Sequence, residues 1–326
     1  MRQPDWAALD VDQALLERIY RSMLRIRQVE ERVVAIYHTD KVKSPVHLSI
    51  GQEAPSVGVC EALEPQDVVF GTYRGHALYL AKGGDLNKMV AELYGKVTGC
   101  GKGKAGSMHL GDPDAGIMGT SAIVGTTIPQ AVGYAFAEKT RGKPTVVAAC
   151  FGDGAMEEGV FHESMNFAAL MKLPVVFVCE NNFYAIFTPL KKRVPKTNFC
   201  ERAEVSYGIS ATKIKNNDVL GTHRAMRKAA AAARTGQGPS FIEVETYRWR
   251  EHVGPNDDTQ LGYRTAAELK AWMDRDELAR IAGMLPAARR LAIEGDVRRQ
   301  VEAAFEFAEQ SPFPGPEELH ADVFTN

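Results

Sequence analysis

Two short polar segments of the chain, residues 152–154 (GDG) and 181–182 (NN), could together hold a metal ion and a phosphate group. Asp153 offers a carboxylate, Asn182 a side-chain carbonyl, and the backbone near Tyr184 a further oxygen. Mg²⁺ prefers such oxygens in an octahedral arrangement and usually shares them with substrate phosphates. The glycines leave room for backbone N–H groups to approach a ligand, because neither carries a Cβ. These residues therefore predict a site for a metal-bound diphosphate.

The sequence around the two segments predicts a βαβ unit that would position them. Residues 145–150 and 175–179 are rich in small and β-branched apolar residues, which is typical of buried parallel strands. Residues 157–170 have apolar side chains at helical spacing. Ligands of open α/β sheets bind at the carboxyl ends of the strands, so we expect Asp153 and Asn182 to lie close together there. The helix N-terminus that follows could bind a diphosphate oxygen directly.

Further helices and strands are predicted on both sides of this unit. Helices are predicted at residues 15–37, 47–63, 85–94 (with Asp85 as the N-cap), 129–137, 219–234 and within 266–307. Strands are predicted near 64–70 and at 239–247, where apolar and polar residues alternate. Residues 203–209 are predicted to be a loop. No internal repeat and no long linker interrupts the pattern. We therefore predict one α/β domain over residues 1–264 with a C-terminal helical extension over 265–326.

Composition and charge limit the classes of function. A chain of 326 residues with 45% apolar residues can bury a large core. Its 39 basic and 41 acidic residues nearly cancel, so the charge gives no reason to expect nucleic acid or a membrane as a partner. The first residues lack the apolar core of a signal peptide, and the five cysteines show no CxxC spacing, so a reduced, cytoplasmic protein is predicted. The basic triplet at 191–193 is predicted to be a solvated loop.

Two groups of residues allow more than one interpretation. The glycine- and lysine-rich segment 99–106 could be a flexible connector, or a nest of backbone N–H groups that binds phosphate. His76 and His109 could contact a ligand or simply be hydrogen-bonded near the site. His162 lies within the predicted helix after GDG and is expected to be structural.

The GDG and NN segments occur together with four other motifs, HLSIGQEA (47–54), YRGH (73–76), GKAGSMH (103–109) and IVG (123–125). In this order the motifs resemble the α subunit of the thiamine-diphosphate-dependent first component of 2-oxo acid dehydrogenases, of the pyruvate, branched-chain 2-oxo acid or acetoin type. The resemblance covers residues 15–263. It implies a three-layer α/β thiamine-diphosphate-binding fold, with a mainly parallel central sheet flanked by helices.

The resemblance also implies how the cofactor is held. Asp153, Asn182 and the backbone carbonyl of Tyr184 would bind Mg²⁺, and Gly154 and Ala155 would contact the diphosphate.

Other motifs imply contacts with the rest of the cofactor. Tyr73 and Arg74 would bind phosphate oxygens, for which the arginine fork is well shaped. Ala122 and Val124 would line the aminopyrimidine and thiazolium rings.

Two histidines are implied as catalytic residues. His47 would face the substrate, and His252 matches a histidine of a loop that reaches the reacting centre and the cofactor in this family. Imidazole, with an ordinary pKa of about 6.5, can donate or accept protons during acyl transfer.

The resemblance implies an oxidoreductase that acts on an oxo group, with a lipoyl disulfide as acceptor. Most of the chemistry belongs to the cofactor, which stabilises a carbanion, while the protein orients it and excludes water. A separate β chain would supply the glutamate that activates the aminopyrimidine, so an α₂β₂ heterotetramer is implied. The acyl group would pass to a lipoyl-bearing acyltransferase component.

The segment around His252 departs from the family pattern. A serine usually follows this histidine, and some relatives are phosphorylated there, but this chain has Val253. Valine has no hydroxyl group, so that control is excluded at this position. Arg250 and Glu251 add charges, which could be a solvated pair or could indicate a polar or charged acyl donor.

Two other functions share some of these features. A split transketolase-type subunit would share GDG and NN, but it fits HLSIGQEA and GSMH less well. A cofactor-free scaffold that only binds a β chain would have no need of Asp153, Asn182 and Arg74, and their presence argues against it.

Overall fold

The computed structural model describes residues 11–321 and 323. The expectation that no targeting leader is present concerns mainly residues 1–10, which lie outside the described residues. The predicted exposed tail includes 322 and 324–326, which lie outside them too.

In the described part of the chain, a six-stranded parallel sheet forms the central layer. The strands are β1 (Val68–Thr72), β2 (Ile117–Ser121), β3 (Val147–Gly152), β4 (Val175–Asn181), β7 (Ser210–Ile214) and β8 (Ser240–Glu245), and a small antiparallel pair, β5 (Tyr184–Ala185) and β6 (Thr188–Pro189), follows β4. The order across the sheet is β2-β1-β3-β4-β8-β7, and all neighbours are parallel. The predicted α/β fold with a mainly parallel sheet is confirmed.

Helices cover both faces of the sheet. They are α1 (Gln13–Ile36), α2 (Glu53–Cys60), α3 (His76–Ala81), α4 (Leu86–Leu93), α5 (Thr127–Thr140), α6 (Gly159–Leu170), α7 (Leu190–Arg193), α8 (Phe199–Tyr207), α9 (Val219–Arg234), α10 (Ala266–Met273), α11 (Glu277–Met284) and α12 (Ala287–Gln310). None of these described helices is long and apolar enough to cross a membrane.

Two apolar cores lie on opposite faces of the sheet, because successive side chains of a strand point to opposite sides. Along β3, Ala148 and Cys150 belong to the core that contains α1, α4, α9 and α12. Val147, Ala149 and Phe151 belong to the core that contains α5, α6 and α8. The short apolar strands predicted from sequence are thus buried on both faces.

The predicted βαβ unit is present as β3, α6 and β4. Two other predictions are confirmed: α9 occupies Val219–Arg234, and Asp85 caps α4 by accepting a 2.9 Å hydrogen bond from the Lys88 backbone N–H. The sequence did not indicate β2, β7 or α3, which are short elements.

The helix predicted to begin at His47 is wrong for its first residues, since segment 47–52 is not helical and α2 begins at Glu53. Gly51 explains the difference. Its φ of +90° lies outside the helical region, and a Cβ there would lie 2.3 Å from the side chain of Trp249. The segment is shaped by packing against a residue far away in the sequence.

The loop predicted at 203–209 is also wrong, because most of this segment belongs to α8. Asn198 caps the helix by accepting a hydrogen bond of 3.2 Å from the Glu201 backbone N–H. Gly208 ends it with a φ of +66°. Both are ordinary helix signals, so the element was identifiable from its ends.

The glycine-rich segment 99–106 forms a nest of N–H groups that is filled by a side chain of the protein. The carboxylate of Glu92 accepts hydrogen bonds from the backbone N–H groups of Gly101 (2.7 Å), Gly103 (3.0 Å), Ala105 (2.8 Å) and Gly106 (3.0 Å). The segment is therefore an ordered loop around an internal anion, and neither interpretation of its sequence describes it fully.

Replacing Glu92 with alanine is expected to lower the free energy of unfolding by about 3 kcal/mol or more, because four N–H groups lose a charged acceptor. Thermal and denaturant unfolding of the purified protein would measure the change. Asn87→Ala, at an exposed position of the same helix, is the control and should change stability by less than about 0.5 kcal/mol. Equal stability of the two variants would contradict this role of Glu92.

Candidate active site

A cavity of about 310 Å³ opens at the carboxyl ends of β1 to β4. Its wall consists of the last residues of these strands and the segments that follow them, together with Gln52 and His252. This is the edge at which the sequence predicted a ligand site.

The structure brings most of the predicted site residues to the cavity wall. Those on the wall are Tyr73, Arg74, Val124, Asp153, Gly154, Ala155, Asn182, Tyr184 and His252. Ala122 is not among the described wall residues, although its neighbours Ser121 and Ile123 are. His47 is not on the wall either, and its ring packs behind Tyr73 and His252.

Asp153 lies immediately after β3 and is almost completely buried. Its carboxylate forms an ion pair with Arg193. Burial raises the pKa of Asp153, and the positive charge of Arg193 opposes that rise. In the adjacent segment, after β4, the Asn182 side-chain oxygen accepts a 3.2 Å hydrogen bond from the Tyr184 backbone N–H, and its amide donates to Gln52.

These oxygen donors are suited to Mg²⁺ together with a diphosphate. One carboxylate, one amide oxygen and one backbone carbonyl form the partial ligand set that Mg²⁺ completes with water and phosphate oxygens. Among the described residues there is no cluster of three or more His, Cys, Asp or Glu that could hold a metal by itself. Beside Asp153, a Cβ on Gly152 would meet no atom within 4 Å, which leaves open space for a ligand at the turn. The residues fit the group that the sequence predicted.

A buried carboxylate in the sheet supports the turn that presents Asn182. Glu243 of β8 accepts hydrogen bonds from the Asn181 amide (2.8 Å) and the Lys213 ammonium group (2.9 Å). The Asn181 side-chain oxygen in turn accepts a 3.0 Å hydrogen bond from the backbone N–H of Phe183, which has a φ of +70°. The alternation of apolar and polar residues at 239–247 suggests that the polar side chains face solvent, but Glu243 is buried.

Replacing Glu243 with alanine is expected to weaken Mg²⁺-dependent cofactor binding by about 10- to 100-fold, as for other groups that orient a metal ligand. Equilibrium titration of the assembled enzyme with thiamine diphosphate and Mg²⁺ would measure this. Glu245→Ala is the matched control, because Glu245 also pairs with Lys213 at 2.9 Å. Identical affinities of the two variants would show that Glu243 does not act through Asn181.

Two histidines and a tyrosine form an aromatic cluster behind and on the cavity wall. The ring centroids of His47 and Tyr73 are 4.4 Å apart, those of His47 and His252 are 5.1 Å apart, and those of Tyr73 and His252 are 5.7 Å apart. Burial, and next the charge of Arg74, lower the pKa of each histidine to about 3. Both imidazoles are therefore neutral at neutral pH.

Arg74 connects the end of β1 to the two segments that contain these histidines. Its guanidinium donates hydrogen bonds to the backbone carbonyls of Leu48 (2.6 Å) and His252 (3.1 Å). Burial lowers its pKa to about 10, so the side chain stays positively charged at neutral pH. Its binding to phosphate remains a prediction.

The segment that contains His252 is fixed at its base by buried charges. Asp258 accepts hydrogen bonds from Arg248 (3.0 Å), Arg264 (2.7 Å) and the Tyr263 hydroxyl. Arg248 also donates to the Ile186 carbonyl at 3.0 Å. Asp258, Arg248 and Arg264 are almost completely buried. This buried cluster was not identified in the sequence because it depends on contacts within an irregular segment.

Neither Arg250 nor Glu251 lies on the described cavity wall. The Glu251 carboxylate accepts a 2.9 Å hydrogen bond from the Asn256 backbone N–H, so it stabilises the turn of its own segment. No ion pair joins Glu251 to Arg250 among the described contacts. Val253 is exposed, as a residue in the middle of such a turn can be.

Glu180, on the cavity wall, and Arg193, the partner of Asp153, have properties that the sequence analysis missed. Burial raises the pKa of Glu180 to about 7, although Arg74 and the Ser56 hydroxyl lower it, so this carboxyl group titrates near neutral pH. The prediction of a solvated loop at 191–193 is wrong, because these residues belong to α7 and the side chain of Arg193 is only 8% exposed. The position of Glu180 at the end of an apolar strand was an available signal.

The other histidines considered are not on the described cavity wall. His76 is buried between Glu30 (3.0 Å) and the Ser107 hydroxyl (2.7 Å), and His162 contacts the Tyr207 hydroxyl at 2.5 Å. His109 is exposed.

A parallel α/β sheet with an oxygen-rich cavity at its carboxyl edge is typical of proteins that bind ligands at that edge. The family described as "Dehydrogenase E1 component" matches residues 21–317, and the chain belongs to this family.

Relatives match over nearly the whole chain. It is 38% identical to the α subunit of acetoin:2,6-dichlorophenolindophenol oxidoreductase of Bacillus subtilis (strain 168), over 94% of this chain and 93% of the relative. It is 38% identical to the α subunit of the pyruvate dehydrogenase E1 component of Zymomonas mobilis, over 96% of this chain and 89% of the relative. The somatic mitochondrial form of that subunit from Sus scrofa is 34% identical, over 95% of this chain and 79% of the relative. The resemblance found in the sequence is confirmed, and with it the dependence of the family on thiamine diphosphate.

Proposed function

We propose that this chain is the cofactor-binding α subunit of a first component that decarboxylates a 2-oxo acid, or cleaves acetoin, and passes the acyl group to a lipoyl carrier. The observation that carries the proposal is the cavity, which Asp153 and Asn182 line together with Arg74 and His252. Charged, oxygen-rich and aromatic groups at one sheet edge suit a cofactor with a diphosphate and two rings.

The metal and diphosphate would be held by the segments after β3 and β4. Asp153, Asn182 and the carbonyl of Tyr184 are the proposed ligands of Mg²⁺, and Gly154 and Ala155 the proposed contacts of the diphosphate. Buried Asp153 requires a compensating positive charge, which Arg193 provides in this structure and which a metal ion would provide in its place.

The phosphate and ring contacts would come from the segments after β1 and β2. Tyr73 and Arg74 are proposed to bind phosphate oxygens, and Ala122 and Val124 to line the rings. When bound, thiamine diphosphate supplies a ring that stabilises a carbanion.

His47 and His252 are proposed to handle protons during decarboxylation and acyl transfer. With each pKa lowered to about 3, each ring is a neutral donor and acceptor at neutral pH. The Nδ1 atom of His47 is buried and has no hydrogen-bond partner among the described residues.

A partner chain is proposed to complete the site. Ile123 and Val124 at the cavity rim are 64% and 44% exposed, although apolar groups beside a reacting centre need cover from water. We propose a β subunit there in an α₂β₂ heterotetramer, and a lipoyl-bearing acyltransferase as the acceptor. Free thiols on all five cysteines support the cytoplasm as the location.

The C-terminal helices are proposed to extend the same domain. Residues Val297, Val301 and Phe305 of α12 lie in the core that also contains α1. This supports treating residues 265–326 as an extension of the cofactor-binding domain at 1–264 and not as a separate unit.

The test is to co-express the chain with its β-type partner and titrate the complex with thiamine diphosphate and Mg²⁺. Carbon dioxide release is then measured with pyruvate, branched-chain and acidic 2-oxo acids, beside acetoin cleavage and ketose-phosphate turnover. Turnover of a 2-oxo acid or acetoin with a lipoyl acceptor is expected. Turnover of ketose phosphates alone would indicate a transketolase-type enzyme, and no binding by a folded complex would leave a scaffold.

A further inference from the structure

Arg193 places a positive charge at the turn where the diphosphate is proposed to bind. It is the last residue of α7, and its guanidinium pairs with both Asp153 and Glu157. Its Nη1 atom lies 3.8 Å from the position that a Cβ on Gly154 would occupy. The group therefore lies over the glycine whose backbone is proposed to contact the diphosphate.

The segment that carries Arg193 is attached to the proposed metal ligands. The short β5–β6 pair follows the turn of Asn182, and the Leu190 backbone N–H donates a 2.7 Å hydrogen bond to the Phe183 carbonyl. Leu190 is buried in the core beneath. The Nε atom of Arg193 donates to the Thr188 carbonyl at 3.2 Å. The position of the arginine is thus set by the same turn that presents Asn182.

Charge balance at Asp153 indicates what happens when a metal binds. A buried carboxylate needs a cation close by, and Arg193 provides it in this structure. Mg²⁺ on Asp153 would take over that role, and Arg193 would keep only the partly exposed Glu157. A diphosphate beside Gly154 adds negative charge within reach of the guanidinium. Arginine binds phosphate oxygens in charge-assisted pairs, which are stronger than neutral hydrogen bonds.

We propose that Arg193 is a diphosphate-binding residue, which exchanges Asp153 for a phosphate oxygen when Mg²⁺ and the diphosphate bind together. This rests on the proposed function. Arg193 and a metal ion compete for Asp153 as long as no diphosphate is present. Once the diphosphate is present, Arg193 and the metal ion both stabilise it.

The exchange predicts that the Arg193→Gln variant changes the affinity for the metal alone and the affinity for the diphosphate in opposite directions. With the competing cation removed, the affinity for Mn²⁺ alone, used as a spectroscopic substitute for Mg²⁺, should rise about tenfold. With a phosphate partner lost, the affinity for thiamine diphosphate or inorganic pyrophosphate with Mg²⁺ should fall about 10- to 100-fold. A residue that only supports the fold would not move the two affinities in opposite directions.

The experiment uses the assembled complex, titrated by calorimetry and by the electron paramagnetic resonance of free Mn²⁺. Lys192→Gln is the matched control, since it removes the same charge from the adjacent, exposed position. Arg193→Lys should restore part of the diphosphate affinity, and thermal unfolding checks that each variant is folded.

Opposite shifts in Arg193→Gln, with both affinities unchanged in Lys192→Gln, are the expected result. A fall in both affinities, or no change in either, would overturn the exchange. If the unmodified complex binds neither thiamine diphosphate nor pyrophosphate, it is the proposed function that fails, so the two failures are distinguishable.

Discussion

Replacing Asp153 with alanine is expected to abolish Mg²⁺-dependent binding of thiamine diphosphate, with a loss of affinity greater than about 100-fold. Removal of a group that only orients a metal ligand already lowers metal affinity by about 10- to 100-fold, so removal of a direct ligand should lower it more. The variant also leaves the buried Arg193 with only Glu157 as a carboxylate partner. Calorimetric titration of the complex, with and without Mg²⁺, would measure the effect.

A second variant separates the metal ligand from the ion pair. Glu157→Gln removes the other carboxylate partner of Arg193 and leaves the proposed metal ligands intact. Its affinity for the cofactor should stay within a few-fold of the unmodified protein. If Asp153→Ala binds the cofactor with Mg²⁺ as well as Glu157→Gln does, the metal assignment is wrong.

The proximity of Asp153 and Asn182 was predictable because it follows from topology alone. Each residue comes directly after an apolar strand, and parallel neighbours bring their carboxyl ends to the same edge. The structure pairs Gly152 with Glu180 in adjacent strands, which places the two polar segments side by side. Sequence patterns suffice wherever a site is built from consecutive βα connections.

The position of Arg193 was not predictable from its sequence neighbours. Three consecutive basic residues usually lie in solvent, and Lys191 and Lys192 do. Arg193 differs because the β5–β6 pair turns its side chain back toward Asp153. Likewise, the glycines of 99–106 indicated a nest, but only the fold shows that Glu92 fills it.

The wrong helix at 47–52 has a similar cause. The local pattern favours a helix, but Gly51 packs against Trp249, nearly two hundred residues later. The Trp249 backbone N–H donates a 2.9 Å hydrogen bond to the Ile50 carbonyl, and the Gly254 N–H donates one of 2.8 Å to the Val46 carbonyl. The segments of His47 and His252 therefore shape each other, which no local pattern records.

Because the two segments support each other, the buried cluster of Asp258, Arg248 and Arg264 should determine the position of His252. Burial would raise the pKa of Asp258, but hydrogen bonds from Tyr263, Arg248 and Arg264 lower it overall, so the carboxylate is charged. Replacing Asp258 with alanine would leave both arginines buried without their shared carboxylate. The free energy of unfolding should fall by about 3–5 kcal/mol, as when one partner of a buried ion pair is removed.

The same change should release segment 248–264 and displace His252 from Tyr73 and His47. Hydrogen exchange in the assembled complex should increase in this segment first, because its anchor is lost while the sheet is unchanged. Asp258→Asn, which keeps one accepting oxygen, should show a smaller effect and remain folded if the alanine variant does not. Asp257→Ala is the control, since the described hydrogen bonds of the exposed Asp257 side chain go to Thr259, within its own turn. Equal exchange rates in the Asp257 and Asp258 variants would mean that the ion cluster does not hold His252 in place.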